Sequence, residues 1–239
     1  MRFLFFLCCL TQQLIPGFGQ TARPDTAFRH ESIQLALQRA ALADSSTDGL
    51  FNGSQYLGHD RRLRGHAYFV TDSAMPGRVE AGGNAYALPI RYDLVNDALV
   101  ADHRAGYWMV PRGETVQSFS LLNHTFIRLI DTTQSRLPEG YYDLLYDGPS
   151  RLLARHTKRI QISSVPSSFG EYLSNTAYYI RRQGQYVKVG SRKALVKLLA
   201  DRRKELTAYA REQKARFKED PELALQALAQ RYDELNKPQ

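Results

Sequence analysis

The chain has 239 residues, 43% of them apolar or aromatic, and a formal net charge of +8. Its two cysteines, Cys8 and Cys9, lie at the amino terminus, so the sequence beyond them holds no disulfide, thiolate metal ligand or cysteine nucleophile. Charge is unevenly placed: residues 20–150 carry 12 arginines, no lysine and 15 acids, whereas residues 151–239 carry 19 basic residues against 9 acids.

Residues 1–19 read as a secretory signal peptide. Arg2 precedes an apolar run from Phe3 to Leu10, and Gly17 and Gly19 place small residues before a cut at Gln20. The run is shorter than the roughly 20 apolar residues that span a bilayer. Phe5, Phe6 and Leu7 are too bulky for a lipoprotein cut before Cys8 or Cys9. No transmembrane segment is expected after signal removal. Residues 20–45 form an amino-terminal segment whose helix, over Phe28–Leu42, carries Ile33, Leu37 and Ala40 at helical spacing.

From 46 to 165 the texture becomes short aromatic and β-branched runs separated by turn residues. Tyr68–Val70, Ala87–Leu94, Ala98–Ala101, Tyr107–Val110, Thr125–Ile130, Tyr141–Tyr146 and Leu152–Ile162 are the expected strands. Gly82-Gly83-Asn84, Asn96-Asp97, Arg112-Gly113 and Asp147-Gly148 punctuate them. Connections this short join antiparallel neighbours, so the expected fold is α+β, with an antiparallel β-meander closed into a sandwich or roll. Tyr92, Leu94, Leu144 and Tyr146 are expected to alternate with polar neighbours on half-buried strands. Residues 166–239 add a hairpin at 178–189 and three basic helices. Ser191 caps the first, Asp201 the second, and Asp220-Pro221-Glu222 opens the third. Leu206, Tyr209 and Phe217 share one stripe; Leu225, Leu228, Tyr232 and Leu235 share another.

Chemistry-bearing motifs are sparse, and no catalytic residue, cofactor or metal site is assigned. His59, Asp60 and His66 cluster between two glycines, too few and too widely spaced for a zinc site on their own. His103, His124 and His156 fall on or beside strands, where hydrogen-bonded structural histidines are expected. Asp93 with Asp97, and Asp143 with Asp147, are accounted for by turns. Neither a nucleophile elbow nor a phosphate loop is present. Arg211, Lys214 and Lys218 share one helix face and form the candidate anion-binding surface.

Several phrases resemble those of an uncharacterised family of exported bacterial envelope proteins. They are Leu50–Tyr56, Gly65–Phe69, Arg91–Leu94, Gly140–Gly148 and Tyr178–Ile180, with a similar tail from Lys193 to Tyr232. The resemblance implies an exported bacterial protein and supplies no activity. The leading expectation is therefore a non-enzymatic binding or scaffolding protein of the periplasm or outer envelope. Its partner would be an envelope protein or an anionic envelope component, and the address argues against nucleic acid. The alternatives are a hydrolase built around His59, Asp60 and His66, and an accessory that binds anionic envelope surfaces through the basic tail. Amino-terminal sequencing of protein recovered from the producing cell is expected to begin at Gln20 or Thr21; an intact Met1 in the cytoplasm would contradict export.

Overall fold

The computed structural model describes residues 50–103, 105–130, 135–164, 169–213 and 219–237. The expected signal segment, the helix over 28–42, and Lys214, Phe217 and Lys218 lie outside the described residues.

Eleven strands make one antiparallel sheet. They are β1 (Gly53–Gln55), β2 (Met75–Ala81), β3 (Asn84–Asp93), β4 (Ala98–His103), β5 (Tyr107–Pro111), β6 (Val116–Leu121), β7 (His124–Leu129), β8 (Gly140–Tyr146), β9 (Leu152–Gln161), β10 (Glu171–Arg182) and β11 (Gln185–Val189). The spatial order is β1-β5-β4-β3-β2-β6-β7-β8-β9-β10-β11. The class is α+β with a meandering sheet, as the short connections imply. Two-residue turns suit the right-handed twist of paired strands when both central residues take positive φ. Gly82 and Gly83 do so at 57° and 79°, and Gln183 and Gly184 at 50° and 80°.

Two connections depart from a plain meander, β1 to β2 and β5 to β6, and the second explains the curvature. β5 and β6 lie four strand positions apart, roughly 19 Å across a flat sheet. Only residues 112–115 join them, and Gly113–Thr115 is a 3₁₀ turn, which rises only about 2 Å per residue. The sheet must curl to bring these ends together. Val79, Ile90, Tyr92, Leu99, Met109, Phe119, Phe126 and Tyr141 fill the inside of that curl.

The sequence also conceals where both faces of a strand are covered. Tyr92 and Leu94 are buried as expected, but so is the intervening Asp93, and Asp143 is buried beside Tyr141 and Tyr142. The expected alternation therefore fails at the end of β3 and in the middle of β8, because a second layer of chain covers the strand there. Tyr68–Val70 is correspondingly no strand. It makes a single bridge, Tyr68 to Asp93, and Val70 turns away at φ 54° with its side chain exposed.

Among the described residues, three helices close the other half of the sheet: α1 (Arg192–Leu198), α2 (Arg203–Glu212) and α3 (Pro221–Leu235). Ser191 Oγ accepts the Ala194 N–H, and Asp220 accepts those of Glu222 and Leu223. Asp201 does not cap α2. It sits in a 3₁₀ turn, where its carboxylate accepts the Tyr232 hydroxyl at 2.8 Å and Arg182 at 3.2 Å. Leu195, Leu199, Leu206, Leu225 and Leu228 pack with Leu152, Ile180 and Val189, so β10 and β11 belong to the same sheet and carry the helices. No helix among the described residues is long and apolar enough to cross a membrane.

Leu228 is fully buried and Arg211 is exposed. Leu228→Ala is therefore expected to cost about 2–5 kcal/mol, and Arg211→Gln to stay within about 0.5 kcal/mol. Urea denaturation of the two variants checks this assignment of faces.

Candidate functional site

An irregular strap, residues 56–72, crosses from the β5 edge to β10. Its hydrogen bonds show why it takes that path. Tyr56 N–H donates to Trp108 O, Arg64 N–H to Gly170 O, Leu94 N–H to Ala67 O, and Phe69 N–H to Tyr92 O. Lys158 Nζ donates to the carbonyls of His66 and Tyr68, both at 2.8 Å, and burial pulls its pKa below the usual lysine value.

The strap is fixed to the floor by Asp93. Asp93 is fully buried and accepts from Tyr56 Oη at 2.9 Å, His59 Nε2 at 2.7 Å and Asn96 Nδ2 at 2.8 Å. The Val95 and Asn96 N–H groups donate to its other oxygen. Burial alone would push the carboxyl up. The donors from His59, Asn96, Val95 and Tyr56 outweigh it and hold the pKa below the ordinary aspartate value. An ionised carboxylate can only accept, so His59 Nε2 carries the proton between them and Nδ1 is the ring's other polar atom. Among the described residues, none hydrogen-bonds that Nδ1.

Beneath the strap is a cleft of about 460 Å³. Tyr56, Tyr68, Trp108 and Tyr172 supply its rings, and His59, His66, Arg61, Arg91, Asp60 and Asp72 supply its ionisable polar lining. The Arg91 guanidinium lies 4.6 Å from the Tyr68 ring centre and 4.1 Å from that of Trp108. The His59 ring meets Tyr172 edge-on at 5.9 Å. His66 Nδ1 accepts the Tyr68 N–H at 3.2 Å, which puts the imidazole proton on Nε2. Burial, followed by the charge of Lys158, lowers the His66 pKa and keeps it neutral at pH 7. The cleft thus offers a hydrogen-bonding nitrogen at His59, a donor at His66 and flat apolar faces. Burial first, then Tyr68 and Asp93, pushes the Tyr56 hydroxyl far above its ordinary pKa, so it stays protonated.

The three residues clustered in the sequence all line the cleft, but Asp60 pairs with Arg62 at 2.6 Å, and that pairing lowers its pKa to about 2. The acid that His59 meets is Asp93, 34 residues away. Trp108, Arg91 and Tyr172 carried no motif, since a lone aromatic or arginine on a strand has no spacing to read. His103 stacks on Tyr107 at 4.4 Å, a structural contact. Arg211 lines a groove with Arg192, Lys193, Lys197 and Arg203 between α1 and α2. Asp147 pairs with Arg151 at 2.6 Å, and Asp143 meets both His124 and His156.

Comparison with protein-family models, with curated proteins and with solved structures finds no match.

A carboxyl whose pKa falls on folding stabilises the protein above its unfolded value, about 3.9, and that contribution vanishes as pH drops through the folded value. Asp93→Asn is therefore expected to be less stable than wild type at pH 7 and to show a flatter loss of stability below about pH 4. Thermal melts from pH 7 to pH 2.5 read both effects.

Proposed function

We propose that the protein is an extracytoplasmic binding protein that takes a saccharide in the aromatic cleft under the strap. The observation that carries this reading is the pairing of flat rings with fixed polar groups in one cleft. Tyr68, Trp108 and Tyr172 offer faces on which the C–H side of a sugar ring can lie, while His59, His66 and Arg61 offer hydrogen bonds to its hydroxyls. Arg61 and Arg91 favour an acidic sugar, since Asp60 already pairs with Arg62 and Asp93 is satisfied by its donors, which leaves Asp72 alone against the two arginines. The export expected from residues 1–19 supports the same reading, because polysaccharides are abundant outside the cytoplasm.

The His59–Asp93 pair supports a second reading, the hydrolase, with His59 Nδ1 as general base. Among the described residues no serine, threonine or cysteine lines the cleft, so this reading rests on water activated by His59 rather than on a hydroxyl or thiol nucleophile. Asp93 has a sufficient structural role in holding the strap.

Trp108 is the only tryptophan in the chain and lines the cleft, so its emission reports occupancy without a label. Titration with uronic-acid oligosaccharides is expected to shift that emission saturably, and neutral gluco-oligosaccharides to do so more weakly. Tyr172→Ala is expected to weaken binding about tenfold. An emission unchanged by either series would reject the saccharide reading. Release of nitrophenol from nitrophenyl glycosides by wild type, abolished in His59→Asn, would replace it with the hydrolase.

A further inference from the structure

A second cluster lies apart from the cleft, where the inside of the curl meets the helices. Strand register puts it together: Phe126 pairs with Asp143, Asp143 with Ala154, and Ala154 with Tyr178, so these four share one sheet face. His124 and His156 lie two residues from Phe126 and Ala154 and share that face. The Asp143 carboxylate is 1% exposed and lies between the two imidazoles, 2.5 Å from His124 Nδ1 and 3.3 Å from His156 Nε2. The first turn of α3 then brings Glu222 over the pair. One ligand atom each from His124, Asp143 and Glu222 falls within 4.8 Å of the others.

We propose that His124, Asp143 and Glu222 hold a divalent transition-metal ion, zinc foremost, with His156 positioning Asp143. Tetrahedral zinc with bonds of about 2.0–2.1 Å sets its ligands roughly 3.3 Å apart. Asp143 Oδ2 lies closer than that to His124 Nδ1, at 2.5 Å, so an entering ion spreads this pair by about 0.8 Å, and rotation of the half-buried Glu222 side chain, whose ligand atom lies within 4.8 Å, closes the set. The outer contacts are those that aim metal ligands. Tyr178 Oη donates to Glu222 Oε2 at 3.2 Å, and His156 Nδ1 is 3.1 Å from Thr176 Oγ1. Phe69 meets the rings of His124 and His156 at 4.9 Å and 5.1 Å, giving the site an apolar wall. Imidazole with two carboxylates suits zinc and its neighbours, whereas calcium and magnesium take sets of six or more oxygens. Three protein ligands leave a fourth position for water or a small anion.

The test uses the full mature chain stripped of metal by chelation. Calorimetric titration with Zn²⁺ is expected to give one ion per chain and zinc is expected to raise Tm, with no comparable response to Mg²⁺ or Ca²⁺. Glu222→Gln and His124→Gln are each expected to weaken zinc binding by about 10–100-fold or more, whereas His103→Ala leaves it unchanged. Asp143→Asn is avoided because it leaves a buried polar group unmatched and can unfold the chain. Glu222 sits in the first turn of α3, and circular dichroism verifies that its variant is folded. Cobalt in the wild-type protein reads the geometry without any variant, through the strong visible absorption of a four-coordinate site. Absence of zinc binding, zinc binding equally tight in folded Glu222→Gln, or only a weak octahedral cobalt spectrum would each overturn the proposal.

Discussion

The turn between β3 and β4 must find its hydrogen-bond partners on the far half of the sheet, and much of the molecule follows from that requirement. Asp97 takes a positive φ of 51°, which an aspartate tolerates better than a branched residue. Its carboxylate accepts the buried Tyr92 hydroxyl at 2.5 Å, the Tyr141 N–H at 3.3 Å and Arg155 Nη2 at 3.3 Å. The chain can approach so closely because residue 140 is glycine; any Cβ there would collide with the Asp97 carboxylate. Three residues earlier, Leu94 O accepts the Lys158 N–H at 2.9 Å. These bonds tie the tip of the β3–β4 hairpin to β8 and β9. A buried polar group without a partner costs about 1–3 kcal/mol, so the curl is held by polar matching as well as by the aromatic packing inside it.

Three aspartates divide the work along this seam. Asp97 joins two parts of the sheet. Asp93, four residues earlier, turns to the other side and anchors the strap through Tyr56 and His59. Asp143 faces the helices between two histidines. Asp93 and Asp143 are carboxylates withdrawn from water, which is tolerable only where donors replace the lost hydration. For Asp93 those donors come from residues within three positions and from the strap, and the cleft forms where the strap fails to cover them fully. For Asp143 they are imidazoles, which also bind metals.

The basic carboxy-terminal half serves the fold through its apolar stripes. Its leucines fill the space over Leu152 and Ile180, while its cations occur beside Asp201, Glu205, Glu234 or solvent. The buried Asp233 of α3 accepts the Ser150 N–H at 2.9 Å and fixes the helix against the β8–β9 turn. That attachment sets the height at which Glu222 reaches the sheet. The same helix thus stabilises one core and completes the second cluster, so a change in its docking alters both.

How much could be read from the chain alone follows from the range of the forces involved. The glycine turns, Ser191, the Asp220-Pro221 start and most strand and helix segments among the described residues are local, because backbone sterics and capping act within a few residues; they are legible and they hold. The strap reads as a strand at Tyr68–Val70, and Asp201 as a cap, because each is decided by partners 19 or more residues away. His59 and His66 were visible as a cluster, but Asp60, the acid beside them, is not the acid His59 uses. His124 and His156 looked structural because nothing nearby in sequence announces Asp143 or Glu222. The sequence by itself determined an antiparallel α+β chain with a helical end, through periodicity and turn chemistry. Only the tertiary structure decided which buried carboxylate meets which histidine, because that depends on the strand register and the curl that bring β3, β8 and α3 to opposite sides of one sheet.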